Sequence, residues 1–347
     1  MGFEKLLKQK KLILVLGLGG VGKTTLSAAL ALKAAALGKK SLVITVDPAK
    51  RLAAILGIKT PTPEPKKIWQ YGEKKGELWA CLLDAKQTFD QLIQDHAPKN
   101  LKEAILANPL YQQLSMMLAG TQEYMAMEKL FRFSQEQKWD LVVVDTPPAR
   151  HAIDFLEAPI KMSNMLEDSV LKFLIAPSLK IGGIGGKMLG ALGHLTGDGV
   201  LADIAQLMHL SISLLDGFTQ RASAIQDLLK AKESSFVLAT SMHAATVSDP
   251  LHFRRQLASI GYTLEGLLIN RMPPFVETLD SKTIAWGKNQ KENIWRQAAT
   301  IAEEKRALYQ HVRKKLKPLI EQIPHVGWIT EKSEGIATFE DLKKLVL

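Results

Sequence analysis

A doubly wound α/β fold, with a mostly parallel sheet of about seven strands, is what the sequence predicts. Two observations carry this. An apolar run, a glycine loop, a stretch of helical spacing and a second apolar run follow one another at the start of the chain. Five more short apolar runs recur further on, separated by segments of helical spacing.

Leu12 to Leu16 is continuously apolar, as expected of a strand buried on both faces. Thr24 to Leu37 carries alanines and leucines at helical spacing and stops at Gly38, a suitable helix terminator. Ser41 to Val46 reads as the next strand, broken by Asp47-Pro48. This βαβ unit makes a parallel sheet the default. Pro61, Pro63 and Pro65, with the charged run after them, read as a surface loop. Further strands are expected at Leu78–Leu83, Leu141–Val144, Phe236–Ala239, Leu264–Ile269 and Gln322–Val326. Lys86–Arg132 and most of Ala149–Lys232 read as helical. One domain over residues 1–347, with helical insertions at about 86–135 and 155–230 forming a subdomain, accounts for the length. A prior of roughly 150 residues per domain would also allow two domains.

Composition narrows the class. With 46% apolar and 23% charged residues among 347, the chain can bury a full core, which excludes disorder and low complexity. A single cysteine, Cys81, excludes a disulfide framework and a thiolate zinc site, and it fits a reducing cytoplasm. The formal charge of +10 suits an anionic ligand or surface without selecting one. Lysines ahead of Leu12–Leu16 imitate a signal peptide, but the apolar run is too short. The stretch from about Val170 to Leu195 is broken by Lys172, Lys180 and Lys187, a poor membrane span, so a soluble protein is expected. Leu6 stands where myristoylation would need Ser or Thr.

Gly17-Leu18-Gly19-Gly20-Val21-Gly22-Lys23-Thr24 fits the pattern G-x-x-x-x-G-K-[ST] residue for residue. Its glycines let backbone N–H groups converge on phosphates, and the following helix offers its positive N-terminus. Lys23 is the expected partner of the β- and γ-phosphates, the Thr24 hydroxyl of Mg²⁺, and Thr25 of the α-phosphate. Leu141-Val142-Val143-Val144-Asp145 is an apolar strand ending in an acid. Beside a P-loop, Asp145 is the candidate second metal-holding group; alone it would be a strand-end cap. ATP and Mg²⁺ are therefore the expected cofactors.

These motifs, with Val46-Asp47-Pro48-Ala49 and Asp145-Thr146-Pro147-Pro148 followed by His151, resemble the arsenite-pump ATPase family. That family includes the guided-entry ATPase that targets tail-anchored membrane proteins, and it shares the dimeric P-loop class of MinD and nitrogenase iron protein. The likeness spans almost the whole chain. Leu83–Asp90 and Asp154–Pro159 are most similar to a bacterial subgroup of anion-transporting ATPase proteins. The resemblance implies that Asp47 orients the attacking water and belongs with Thr24 and Asp145 to the metal site. It implies that Asp47, Asp145 and His151 are switch residues, that Asn270 reads adenine, and that Pro324 packs against the base. His151 also reads as an exposed helix-start histidine, and Asn270 as a strand-end turn residue.

Three departures matter. Leu18 stands where the family carries a lysine that reaches the partner's phosphates. Lys50, Arg51 and Arg150 are substitutes to consider, or a paralogous partner supplies the lysine. The arsenite-binding cysteines are absent, so arsenite is not expected. The zinc-bridging Cys-x-x-Cys pair is absent too, so any homodimer or heterodimer is held by packing or nucleotide.

Eight of eleven methionines, Met116, Met117, Met125, Met127, Met162, Met165, Met188 and Met208, lie in the helical segments. They suit a groove for an apolar helical client or plain core packing. Gly182–Gly186, among apolar residues, suits a mobile lid or a surface loop. Lys282–Lys317 holds ten Lys or Arg against three Glu, with Trp286 and Trp295. This reads as a solvated helix face, with nucleic acid or acidic lipid as the sharper alternative. Three functions remain: a client-targeting ATPase, a weakly hydrolysing regulatory subunit, and a positioning ATPase acting on membrane or DNA.

Overall fold

The computed structural model describes residues 2–46, 51–58, 64–72, 76–97, 99, 102–108, 112, 121–167, 219–247, 250–274, 276–278, 280–332 and 335–346. Asp47, Lys50, Met116, Met117, Met188, Met208 and Gly182–Gly186 lie outside them.

Eight strands form one sheet in the order β3-β4-β2-β5-β1-β6-β7-β8. They are β1 (Leu12–Gly17), β2 (Lys40–Thr45), β3 (Lys66–Tyr71), β4 (Gly76–Leu82), β5 (Leu141–Asp145), β6 (Ser234–Ser241), β7 (Leu264–Met272) and β8 (His325–Thr330). Every pairing is parallel except β3 with β4. β1, β5 and β6 are buried throughout, which is why Leu12–Leu16, Leu141–Val144 and Phe236–Ala239 read as apolar runs. Helix α1 (Gly2–Gln9) and helix α2 (Lys23–Ala36) pack against the sheet. α2 buries Leu26, Ala28, Leu30, Ala31 and Leu32 in one core with Ile13, Val15, Val43 and Val143.

The expected surface loop after Pro65 is corrected to the edge strand β3. Its lysines, following three prolines, read as loop because only Ile68 and Trp69 pack on the core, while the rest faces water. Lys67 pairs with Glu77 of β4, and Lys67 and Lys40 stand over the Trp79 ring. Lysines on an edge strand discourage pairing with another chain. β3 is the extra strand beyond the seven expected.

The last strand is also shifted. Gln322 belongs to the turn closing the helix Asn293–Ile320, and β8 starts only after Pro324, which has no N–H for a sheet ladder. In that helix Tyr309, Val312, Leu316 and Leu319 are buried at intervals of three and four, leaving the basic residues outward. Trp286, Ile294, Trp295 and Ile301 are exposed, and the two tryptophans meet edge to face at 5.9 Å.

The chain divides into two compact units. The first comprises residues 1–82, 136–153 and 230–347 and contains the sheet; the second comprises 83–135 and 154–229. The second has its own core, in which Leu92, Ile93, Ile105, Tyr124, Met125 and Ala222 pack together. Met125 and Met127 are fully buried, so these two methionines serve packing. Arg221 Nε donates to Glu128 Oε1 at 3.0 Å, with only 12% and 5% of the two side chains exposed. The Tyr124 hydroxyl donates to the same carboxylate oxygen. Burial, then the Glu128 charge, pushes its pKa up, so it stays a neutral donor.

Breaking a buried pair by removing one partner is costly. Arg221→Ala is expected to destabilise the protein by about 3 kcal/mol in urea unfolding, against about 1 kcal/mol or less for the exposed Lys161→Ala.

Candidate functional site

A parallel sheet presents all its strand C-termini at one edge, and the crevice outside them is where ligands bind in such folds. Here that edge gathers Gly17 from β1, Asp145 from β5, Thr45 from β2 and Asn270 from β7.

The loop between β1 and α2 is shaped by what its glycines omit. Gly17 has φ +152°, and a Cβ there would lie 2.2 Å from the Ala239 carbonyl oxygen of β6. Gly22 has φ +93°, and a Cβ would lie 2.4 Å from Asn270 Nδ2. Gly19 and Gly20 are exposed, and a Cβ on either would meet nothing within 4 Å. The loop is thus pinned at both ends and open in the middle, next to the α2 N-terminus. That opening fits a polyphosphate.

Lys23, the first residue of α2, is 8% exposed, and its Nζ donates to the Leu18 carbonyl at 3.0 Å. A cation folded over its own loop neutralises anions bound there. Val21 is buried, while Thr24 and Thr25 in the first turn are half-buried.

Asp145 is 1% exposed and stands beside Val15 of β1 in register. Its Oδ2 accepts a hydrogen bond from Thr45 Oγ1 at 3.0 Å, and its carbonyl accepts from Val46 N at 3.1 Å. Thr146 Oγ1 donates to the Val15 carbonyl at 2.8 Å. Thr45 and Thr146 therefore hold the acid against β1 and β2. Sequence reading missed both; their signal is a polar residue ending each apolar strand. Asp145 and Thr24 are the groups here that suit Mg²⁺, a hard cation that takes few protein oxygens and keeps phosphate and water ligands. No cluster of three or more His, Cys, Asp or Glu that could hold a metal occurs among the described residues.

Asn270 Nδ2 donates to the Val21 carbonyl at 2.9 Å, and its Oδ1 accepts from Arg271 N at 2.9 Å. It borders the loop, with its amide engaged by backbone. Pro324 does not join this group, and that expectation is corrected. It is exposed and precedes β8, at the edge where the strands begin. His325 pairs with Gly266 near the start of β7, so the length of a strand, about 20 Å, separates Pro324 from the loop edge. His151 is the third residue of the helix Ala149–Glu167. Leu18 is half-buried and packs on the core, with its carbonyl toward Lys23. Cys81 is buried in β4.

Lys23→Ala is expected to abolish ATP binding by titration calorimetry while leaving the circular dichroism spectrum unchanged, since the lysine supplies charge and little packing. A folded variant with normal ATP affinity would contradict the phosphate assignment.

None of the described helices is long and apolar enough to cross a membrane. A family described as anion-transporting ATPase matches residues 10–322. The ATPase get3 of Aspergillus terreus is 26% identical over 273 residues, 78% of this chain and 76% of that protein. The ATPase get3 of Schizosaccharomyces japonicus is 24% identical over 342 residues, 98% of this chain and 94% of that protein. The ATPase ASNA1 homolog of Babesia bovis is 31% identical over 171 residues, covering 49% of this chain and 44% of that protein. With a glycine loop built for polyphosphate, a buried acid beside it and a family match running through nearly the whole sheet, the chain belongs to the anion-transporting ATPase family and is a P-loop ATP hydrolase.

Proposed function

We propose that this ATPase works with Mg²⁺ as a nucleotide-switched dimer in the cytoplasm, its helical insertions at about 86–135 and 155–230 handling an apolar helical client. One observation carries the switching part. The helix Ala149–Glu167 starts four residues after Asp145; residues up to 153 belong to the sheet-bearing unit and the rest to the helical unit. A γ-phosphate that moves the segment after Asp145 therefore acts on an element continuous with the helical insertion. His151 lies in that helix's first turn. The client part is supported by the resemblance to the guided-entry ATPase and by the relatives named get3.

The chemistry divides among the chain's own groups. Loop N–H groups and Lys23 hold the β- and γ-phosphates and stabilise charge that develops as the bond breaks. Thr24 and Asp145 would hold Mg²⁺, which would supply positive charge beside the phosphates. Asp47, following β2, accepts a proton from or orients the attacking water. Asp47→Asn should leave Mg-ATP affinity within a few fold and lower turnover by roughly 10² or more. That variant should also trap an ATP-bound dimer detectable by light scattering, and capture from lysate should then return membrane proteins with an apolar terminal helix. A monomer with ATP bound would contradict the switch.

A second reading is favoured by Leu18. The resemblance places a trans-acting lysine there, whereas this leucine packs inward on its own core. On this reading the isolated subunit hydrolyses slowly and works beside a lysine-bearing paralogue. Leu18→Lys is then expected to raise single-turnover hydrolysis by tenfold or more. If Lys50, Arg51 or Arg150 already fills the role, the same substitution leaves the rate flat or lower, and alanine at the true substitute is severe.

A further inference from the structure

Arg271 is the one non-glycine residue with positive φ among the described residues, at +58°. Such a conformation is uncommon outside Gly, Asn and Asp, and where it persists the surroundings hold it in place. Here the surroundings are visible. β7 and β8 pair in register at Ile269 with Trp328 and again at Met272 with Thr330, so Asn270 and Arg271 together face Ile329 alone. This is a β-bulge, a device that re-aims a side chain. The Arg271 amide is fixed by Asn270 Oδ1, and Asn270 is in turn tied to the Val21 carbonyl of the glycine loop. A strained arginine is thus bound, through one intervening side chain, to the phosphate loop.

Its position across the sheet indicates which part of a nucleotide it meets. The loop follows β1, and Asp145, the metal-side acid, ends β5 on one flank of β1. β6 and then β7 lie on the other flank, so Arg271 stands two strands, roughly 10 Å, from the loop strand. An extended nucleotide with its metal-bound end toward β5 leaves its base on the β6–β7 side. Arg271 is exposed there, and a planar guanidinium stacks well on an aromatic face.

We propose that Arg271 is a base-binding residue, held by the Asn270–Arg271 bulge so that its guanidinium covers the purine face of the bound nucleotide. This rests on the nucleotide site at Gly17–Thr25.

Two variants test it without endangering the fold, since glycine and asparagine both tolerate positive φ: Arg271→Gly and Arg271→Asn. Binding of two probes, ATPγS and inorganic tripolyphosphate, would be measured by titration calorimetry in Mg²⁺ buffer. The expected result is an ATPγS Kd raised about five- to twentyfold in both variants, with the tripolyphosphate Kd within twofold of wild type and Tm equal or higher. Equal weakening of both probes would overturn the assignment and make Arg271 a phosphate cation. Unchanged ATPγS affinity would overturn it in favour of a turn residue alone. Wild-type protein that binds neither probe would instead overturn the nucleotide site beneath it.

Discussion

No side chain fits between Gly17 and the Ala239 carbonyl, and the rest of the site follows from that closeness. Because β1 can run tightly past β6 before the chain turns, the loop leaves the sheet at its C-terminal edge. It re-enters as α2 with its N–H groups facing outward. Gly22, fitted against Asn270, fixes the other end. Between these two anchors Gly19 and Gly20 keep the mouth clear. Lys23 and Asp145 then add opposite charges to a preformed cradle, so little reorganisation is needed when phosphate arrives.

Burial on both sides of the sheet made the central strands legible. Leu12–Leu16 and Leu141–Val144 had to be apolar throughout because both faces of these strands are buried. β3 escaped because an edge strand needs only Ile68 and Trp69 for packing and spends its other positions on solvent and charge. β8 was misplaced because Ile323 looks like a strand residue, while Pro324 and the close packing of Gly327 on Leu268 and Phe3 set the actual start and path. The misplacement of Pro324 had the same origin: a motif locates a residue along the chain, and only the register assigns it to an edge of the sheet.

The candidate site was legible where backbone chemistry dictates residue type and obscure where side chains act through one another. The loop from Gly17 to Thr25 is written in the sequence because close approach calls for glycine at 17 and 22, and phosphate and metal chemistry calls for Lys23 and the hydroxyls after it. Thr45 and Thr146, which orient Asp145 and its strand, have no signature beyond a polar residue closing an apolar run. Nor does the bulge at Asn270–Arg271, which arises from a register shift between two strands more than fifty residues apart. Met125 and Met127, whose residue type suited either a flexible groove or core packing, are fully buried and take the packing role.

The central claim is that the phosphate site and the helical insertions are coupled through the helix Ala149–Glu167. Hydrogen exchange of the Asp47→Asn variant, with and without Mg-ATP, tests it most directly. The account predicts altered protection along 149–167 and in the helices of the second unit, together with the glycine loop. Protection confined to residues 17–25 and the end of β5, with 149–167 unchanged, would contradict it.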